Sequence, residues 1–391
     1  MNTIQIIPEN NCTGCMMCGD ICPREAIRYQ IKQGFWYPVV DKNKCIDCGI
    51  CLKKCQALKE SSLIKEEPLK CYGAKSKNEN IRYNSTSGGF FSELATYWYE
   101  NSGYCVGAIY NTNNKIVHTL EECNDGISRM RQSKYAQSDI QGVYKIVKER
   151  LMNGKKILFC GTSCQVEALY AFLGKEYENL ITIDFVCCGI CSPVVYRKYL
   201  DELEKKYHSK IRKVWFKNKK FGWRSVGVKI EFENGKEYIR PGTRDPFMTC
   251  FVKDALSMRE SCFSCKYRKT PHRSDFTLAD FWGIENVRPE IDDDKGISAV
   301  MVNSEKGKAL FDLIKDNLDY FETSINDIAR GNFTVYSAKV PNTLRKEFLD
   351  VVDKKGFSAA VKKYSSYSGF NKFKIDAGFY KKNILERIRG R

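Results

Sequence analysis

The chain has 391 residues, 43% hydrophobic and 28% charged, which is enough for two or three domains and close to ordinary globular usage. That excludes a mini-protein, a collagen-like repeat and a wholly disordered chain. Its 64 Lys and Arg against 47 Asp and Glu leave a net charge of +17, and 19 cysteines accompany only three histidines, His118, His208 and His272, so metal ligation must fall to sulfur rather than imidazole.

No run reaches the roughly 18 uninterrupted apolar residues of a membrane-spanning helix. Residues 1–11 lack the basic-then-apolar pattern of a secretory leader. The expectation is a reducing, cytoplasmic location in which the thiols are metal-bound or free rather than disulfide-linked.

Residues 1–60 carry Cys12, Cys15, Cys18 and Cys22, then Cys45, Cys48, Cys51 and Cys55. This is C-x2-C-x2-C-x3-C twice, the first copy closed by Pro23. Three thiolates at that spacing wrap one iron–sulfur cube while the fourth reaches the other. The repeat therefore predicts crossed ligation, with Cys12, Cys15, Cys18 and Cys55 on one 4Fe-4S cluster and Cys45, Cys48, Cys51 and Cys22 on the second. Gly14, Gly19 and Gly49 let backbone amides approach sulfur. A pair of structural zinc knuckles is the alternative, although zinc sites ordinarily use two separated pairs or a Cys/His mixture. The segment resembles two-cluster bacterial ferredoxins, with Gln56 where a second proline is expected. Residues 26–31 and 35–40 read as short strands shielding the cubes.

Residues 61–70, with Glu66, Glu67 and Pro68, read as a linker. Strands expected near 71–75 and 104–110 flank Ser87-Gly88-Gly89 and a helix over 90–100. Ser87 is the expected N-cap, and the Gly88 and Gly89 amides offer an anion site at the helix start. A buried strand over 155–160 ends in Gly161-Thr162-Ser163 and delivers Cys164 to a helix over 166–173, where the dipole favours a thiolate. A second strand, 180–186, ends in Cys187-Cys188-Gly189-Ile190-Cys191. Open α/β sheets place ligands at such carboxyl ends. A hairpin is expected within 215–239, turning at Asn234-Gly235. Cys262 and Cys265 follow, a spacing that also suits a zinc pair. Cys71, Cys105, Cys123, Cys160 and Cys250 read as small buried hydrophobes. A strand over 297–302 and a helix over 307–317 complete this region.

The order Ser87-Gly88-Gly89, Ser133-Lys134-Tyr135, Gly161-Thr162-Ser163-Cys164-Gln165, Phe185-Val186-Cys187, Cys262-x2-Cys265 and 275–283 resembles the coenzyme F420 hydrogenase/dehydrogenase beta-subunit family across roughly residues 70–325. The resemblance implies FAD and a third 4Fe-4S cluster on Cys164, Cys187, Cys262 and Cys265, with Cys188 and Cys191 as the alternatives to Cys187. It also implies that Ser87, Gly88, Gly89 and Lys134 lie beside the flavin. Ser163 stands where the family more often has proline.

The expected fold class is α+β or α/β. A ferredoxin-like module occupies 1–60, a linker 61–70, a flavin and iron–sulfur domain 71–330, and a basic helical C-terminal segment 331–391. The expected function is an oxidoreductase that relays single electrons from the ferredoxin-type clusters through the third cluster to FAD, and then to a small-molecule substrate or hydride carrier. A noncatalytic electron-transfer subunit feeding a separate enzyme is the alternative. The expected redox partner is ferredoxin or another electron-transfer subunit. Lys134, Asp275 and Asp280 are candidate acids, although Asp275 and Asp280 could equally brace their turn. Phe373, Ala377, Tyr380, Ile384 and Ile388 recur at helical steps in a lysine-rich stretch, a pattern suited to an anionic membrane surface, a partner or the protein's own core. No recognised nucleic-acid motif accompanies the aromatic residues, so nucleic-acid binding is not expected.

Overall fold

The computed structural model describes residues 3–59, 67–122, 124–268 and 271–368. Its N-terminal part holds one antiparallel hairpin, β1 (Ile27–Lys32) and β2 (Phe35–Val40). The body is built on an eight-stranded mixed sheet. Its members are β3 (Lys70–Ser76), β4 (Gly103–Tyr110), β5 (Ile116–Glu121), β6 (Lys156–Cys160), β7 (Leu180–Phe185), β11 (Phe276–Asp280), β12 (Ser298–Val302) and β13 (Leu318–Thr323). The spatial order is β13-β3-β12-β11-β7-β6-β4-β5. The four central strands β4, β6, β7 and β11 run parallel, and the outer pairs are antiparallel. Central strands buried on both faces need continuous apolar runs, which Ile157-Leu158-Phe159 and Leu180-Ile181 provide.

Helices cover both faces. On one, Phe90, Leu94 and Trp98 of the helix Phe90–Glu100, spaced one turn apart, join Leu310, Phe311 and Ile314 over Leu158, Ile181, Ile183 and Val300. On the other, Tyr144, Val147 and Leu151 of the helix Val143–Met152 and Val166 and Leu169 of the helix Ser163–Leu173 cover Val106, Ile157 and Phe159. Met16 and Met17 insert into that same cluster, so the cysteine-rich module shares a core with the body.

A second, smaller sheet contains β8 (Ile211–Asn218), β9 (Gly227–Phe232) and β10 (Glu237–Pro241), all antiparallel. It packs with the helices Pro193–Tyr207, Arg345–Lys355 and Phe357–Tyr364, and with Phe35 and Tyr37 of β2.

Several local expectations shift. The hairpin expected within 215–239 is a three-stranded meander. The helix bearing Cys164 starts at Ser163 rather than 166, because Thr162 and Gln165 form a capping box. The N-cap of Phe90–Glu100 is Gly89 in the left-handed region, not Ser87. The helix expected over 307–317 runs Glu305–Ile314, capped by the Ser304 hydroxyl. Cys71, Cys105 and Cys250 are buried and Cys160 is partly so. Cys123, most of the linker, and the stretch containing Phe373, Ala377, Tyr380, Ile384 and Ile388 lie outside the described residues. Among the described residues no helix is long and apolar enough to cross a membrane.

His118 on β5 is buried, with Nδ1 2.8 Å from the Ser138 hydroxyl and Nε2 3.3 Å from the Cys160 carbonyl. Burial lowers its pKa from 6.5 to about 4. As pH falls below 6.5 the unfolded chain takes up a proton that the folded chain refuses until about 4, so stability is lost across that window, by about 3 kcal/mol in total. Urea unfolding of the wild type from pH 7 to pH 4 is expected to show this loss, and His118→Gln should flatten it.

Candidate functional site

The two N-terminal loops repeat one backbone conformation. Gly14 and Met16 have φ of +73° and +63°, and their equivalents in the second repeat, Asp47 and Gly49, have +52° and +69°. Left-handed residues at alternate positions turn successive amides to one side, as a cradle for an electron-rich group requires. The amide of Ala26 donates to Cys22 Sγ at 3.3 Å, and amides of Ile4 and Leu52 reach Cys51. Tyr29 Oη lies 3.4 Å from Cys18 Sγ and accepts the Gly19 amide at 3.0 Å.

Cys12, Cys15, Cys18 and Cys55 lie within electrostatic reach of one another. Burial pushes Cys15 up to about 11, and Cys12 and Cys55 add to the rise. Cys22, Cys45, Cys48 and Cys51 line one small cavity beneath Ile27 and Val40. The structure thus brings together Cys12, Cys15, Cys18 and Cys55 in one group and Cys22, Cys45, Cys48 and Cys51 in another. Cys48 is exposed, as are Arg24 and Ile46 in the lining of the same cavity and Lys42 and Lys44 a few residues before it in the chain.

The module is clamped to the body by buried polar contacts. Arg259, fully buried, donates to the Cys12 carbonyl at 2.8 Å, the Trp36 carbonyl at 3.2 Å and Gln137 Oε1 at 3.2 Å. One guanidinium nitrogen lies 3.5 Å from Cys12 Sγ, and the group sits 4.3 Å from the Tyr37 ring centroid. Gln137 donates to the Gly14 carbonyl at 3.0 Å. A Cβ on Gly14 would come within 2.2 Å of Gln137 Nε2. Asp20 accepts the amides of Gly142 and Tyr144 at 2.7 and 3.1 Å, and Tyr144 Oη donates to the Cys15 carbonyl at 2.9 Å.

Directly beneath lies a cavity lined by Cys164, Cys187, Cys262 and Cys265, together with Thr13 of the N-terminal module, Tyr267 and His272. The parallel strands explain the meeting: Cys164 follows β6 and Cys187 follows β7 at the same sheet edge, and Cys262 and Cys265 arrive on the Glu260–Cys262 turn. Burial raises the pKa of Cys164 and Cys187 strongly and pushes Cys262 up to about 11.

Four partly buried thiols brought together have no reason to ionise unless a cation compensates them, which iron would do. Amides already directed at sulfur, such as Tyr267 to Cys265, would then be satisfied. The residues present therefore fit an iron–sulfur cube. Cys191 is elsewhere, with Sγ 3.2 Å from the Ser257 hydroxyl, and Cys188 does not line the cavity. Cys15 lies within electrostatic reach of Cys164, so the two cysteine sets are neighbours. Lys266 donates to the carbonyls of Gln56 and Lys59, bridging the same gap. His272 Nδ1 lies 2.7 Å from Asp184 Oδ2. Burial lowers its pKa, but the Asp184 carboxylate more than offsets this and the net shift is upward.

The residues expected beside a flavin have structural duties. Ser87 Oγ donates to the Ile297 carbonyl at 2.5 Å, and the Gly88 amide donates to Ser298 Oγ at 3.0 Å, so that amide is not free for an anion. A Cβ on Gly88 would lie 2.2 Å from the Ala74 carbonyl, and Gly89 has φ +98°. Lys134 caps a helix end, donating to the carbonyls of Arg129, Met130 and Arg131 at 2.8, 2.8 and 2.6 Å, and burial lowers its pKa to about 7. The two motifs do meet, since Thr86 Oγ1 lies 3.3 Å from Ser133 Oγ. Asp275 braces β7, accepting the Thr182 amide at 2.8 Å and the Ser304 hydroxyl at 2.5 Å. Asp280 pairs with Lys217. Arg259, Lys217 and His272 belong to none of the motifs, a lone arginine three residues before Cys262 being the one local hint, while Tyr135 stood in the Ser133-Lys134-Tyr135 motif without a role.

Residues 11–59 match the family described as the 4Fe-4S dicluster domain. Residues 154–327 match the family described as the C terminus of the coenzyme F420 hydrogenase/dehydrogenase beta subunit. The chain is therefore an iron–sulfur electron-transfer protein. Its body is similar over residues 154–327 to the coenzyme F420 hydrogenase/dehydrogenase beta-subunit family, and a dicluster module precedes it. A chain of the F420-reducing NiFe hydrogenase complex from Methanosarcina barkeri is similar to it at 15% identity and a TM-score of 0.46, over 76% of this chain and 94% of that one. No curated protein matches.

Removing the clamp should loosen the module without touching a cysteine. Arg259→Met leaves two buried carbonyls without donors and is expected to cost about 3 kcal/mol. Thermal unfolding, together with limited proteolysis of the N-terminal module, would register the change.

Proposed function

We propose that this chain is an iron–sulfur flavoprotein oxidoreductase. Cys45, Cys48, Cys51 and Cys22 would hold an outer cluster, Cys12, Cys15, Cys18 and Cys55 an inner one, and Cys164, Cys187, Cys262 and Cys265 a third, and such clusters would supply a single-electron relay toward FAD and a small-molecule substrate or hydride carrier. A flavin, when bound, exchanges single electrons with clusters and electron pairs with organic molecules.

The observation that carries this reading is the convergence of those four body cysteines on one buried cavity against Thr13 and beside Cys15. The chain's own residues would exclude water there through Ile190, Val335 and Tyr267, and would hold sulfur charge with directed amides. Ser87, Gly88 and Gly89 would shape the flavin crevice as a rigid turn packed on β3, while Lys134 would act by fixing the adjacent helix end.

Electrons would arrive at the exposed edge by Cys48. The cations Arg24, Lys42 and Lys44 of the same module suit an acidic carrier protein such as a ferredoxin. A second reading, an electron-transfer subunit serving a separate enzyme, is favoured by the beta-subunit description of the matching family.

Anaerobically purified protein is expected to hold roughly twelve irons and one flavin per chain. Cys164→Ala should lose about four irons and one paramagnetic centre after reduction while keeping the other two; an unchanged iron content would remove the third cluster from the scheme. Reduction by an acidic ferredoxin should slow about tenfold in the double variant Lys42→Glu, Lys44→Glu at low salt, with the difference shrinking as salt rises. Equal rates would place the docking face elsewhere.

A further inference from the structure

At the carboxyl end of β11, Lys217, Asp280 and Tyr135 meet in a cluster that the cysteine sets do not use. Lys217 Nζ is ion-paired with Asp280 Oδ2, and their side chains are only 12% and 8% exposed. The same ammonium bonds the Tyr135 hydroxyl, which also bonds Ser133. The Tyr135 ring is wedged between Phe216 and Phe251, at centroid distances of 5.6 and 5.7 Å. Lys217 Nζ lies 5.3 Å over the ring of Trp282, which stacks on Trp223 at 4.5 Å.

Two features set this cluster apart from an ordinary buried ion pair. Lys217 has φ +58° and sits where the β8–β9 register slips between Phe216 and Asn218. A bulge of this kind re-aims a side chain, and a left-handed lysine is held only where its surroundings require it. The second feature is Asp280 Oδ1, which is buried and has no hydrogen-bond partner among the described residues. A buried carboxylate oxygen left bare is costly and uncommon.

The ligand class follows by elimination. An anion would be repelled by the open carboxylate oxygen, and a cation by the adjacent ammonium. A neutral group that offers an N–H beside a carbonyl satisfies both, since the ammonium has three donors and two are taken.

We propose that Asp280, Lys217 and Tyr135 form a recognition site for a planar heterocycle with an imide edge, Asp280 Oδ1 accepting the ring N–H and Lys217 donating to the neighbouring ring carbonyl. The site rests on the flavin reading above, because the pyrimidine ring of an isoalloxazine carries this edge at N3. Tyr135 lies within electrostatic reach of Cys188, next to Cys187, so a ring held here would lie near the third cysteine set.

The test uses the full-length chain, purified anaerobically with its clusters and freed of flavin, and reads riboflavin binding by fluorescence quenching. Wild type is expected to bind riboflavin on the order of tenfold to a hundredfold more tightly than 3-methylriboflavin, which lacks the N3 proton. Asp280→Asn should weaken riboflavin and abolish that preference, with iron content and circular dichroism unchanged. The edge is common to flavins and 5-deazaflavins, so 5-deazariboflavin titrated against its own N3-methyl form identifies which ring the site prefers; the proposal stands with either. Equal affinity of wild type for riboflavin and 3-methylriboflavin, and for the deazaflavin pair, overturns the proposal while leaving the flavin reading intact. Failure to bind any of these rings overturns both. The methylated ligands need no variant, so a folding defect in Asp280→Asn cannot mask the answer.

Discussion

A single buried guanidinium holds the architecture to its purpose. Among the described residues Arg259 has no carboxylate partner; it is neutralised in part by carbonyl dipoles of Cys12 and Trp36, by Gln137 Oε1 and by the faces of Tyr37 and Phe35. A cation so enclosed is tolerable only if every donor is directed. Because two of its acceptors belong to the N-terminal module, satisfying the arginine and docking the module are one event. Gly14 fits the space that remains, and no larger residue would do so without displacing Gln137. The consequence is that the loop carrying Cys12 and Cys15 is pressed onto the rim of the cavity that holds Cys164.

The parallel centre of the sheet supplies the complementary constraint. β6, β7 and β11 run in one direction, so the segments following them emerge at one edge. Cys164, Cys187 and the Asp280–Trp282 stretch therefore share a neighbourhood although more than a hundred residues of chain lie between the first and the last. Asp184 and Asp275 stiffen this edge from within, binding hydroxyls of Ser274, Thr277 and Ser304 rather than solvent. Buried lysines are divided between two duties. Lys134 and Lys219 close backbone carbonyls, where burial pulls each pKa down to about 7. Lys217 faces a carboxylate; burial opposes its charge, but Asp280 more than compensates and the net shift is upward.

The eight N-terminal cysteines were legible because ligation by short loops is a local matter: spacing decides which sulfurs can reach one cube, and the chain between them is too short to offer alternatives. The central strands were legible for a similar reason, since burial on both faces demands an unbroken apolar run. Ser87 and Lys134 show where such reading stops. A motif locates a residue along the chain but does not say where its side chain points, and in both cases the polar atom turned inward to a neighbouring carbonyl.

What the sequence determined by itself was the inventory: thiolate chemistry, a duplicated ligand loop, a family resemblance in the body, and an alternation of strands and helices that requires an open sheet. Tertiary structure alone decided the adjacencies. Cys15 beside Cys164, Arg259 under Cys12, and Lys217 against Asp280 join residues separated by 149, 247 and 63 positions. Such pairs depend on strand order, on a bulge in β8 and on the packing of two modules into one core, and these are properties of the folded chain that no local spacing encodes.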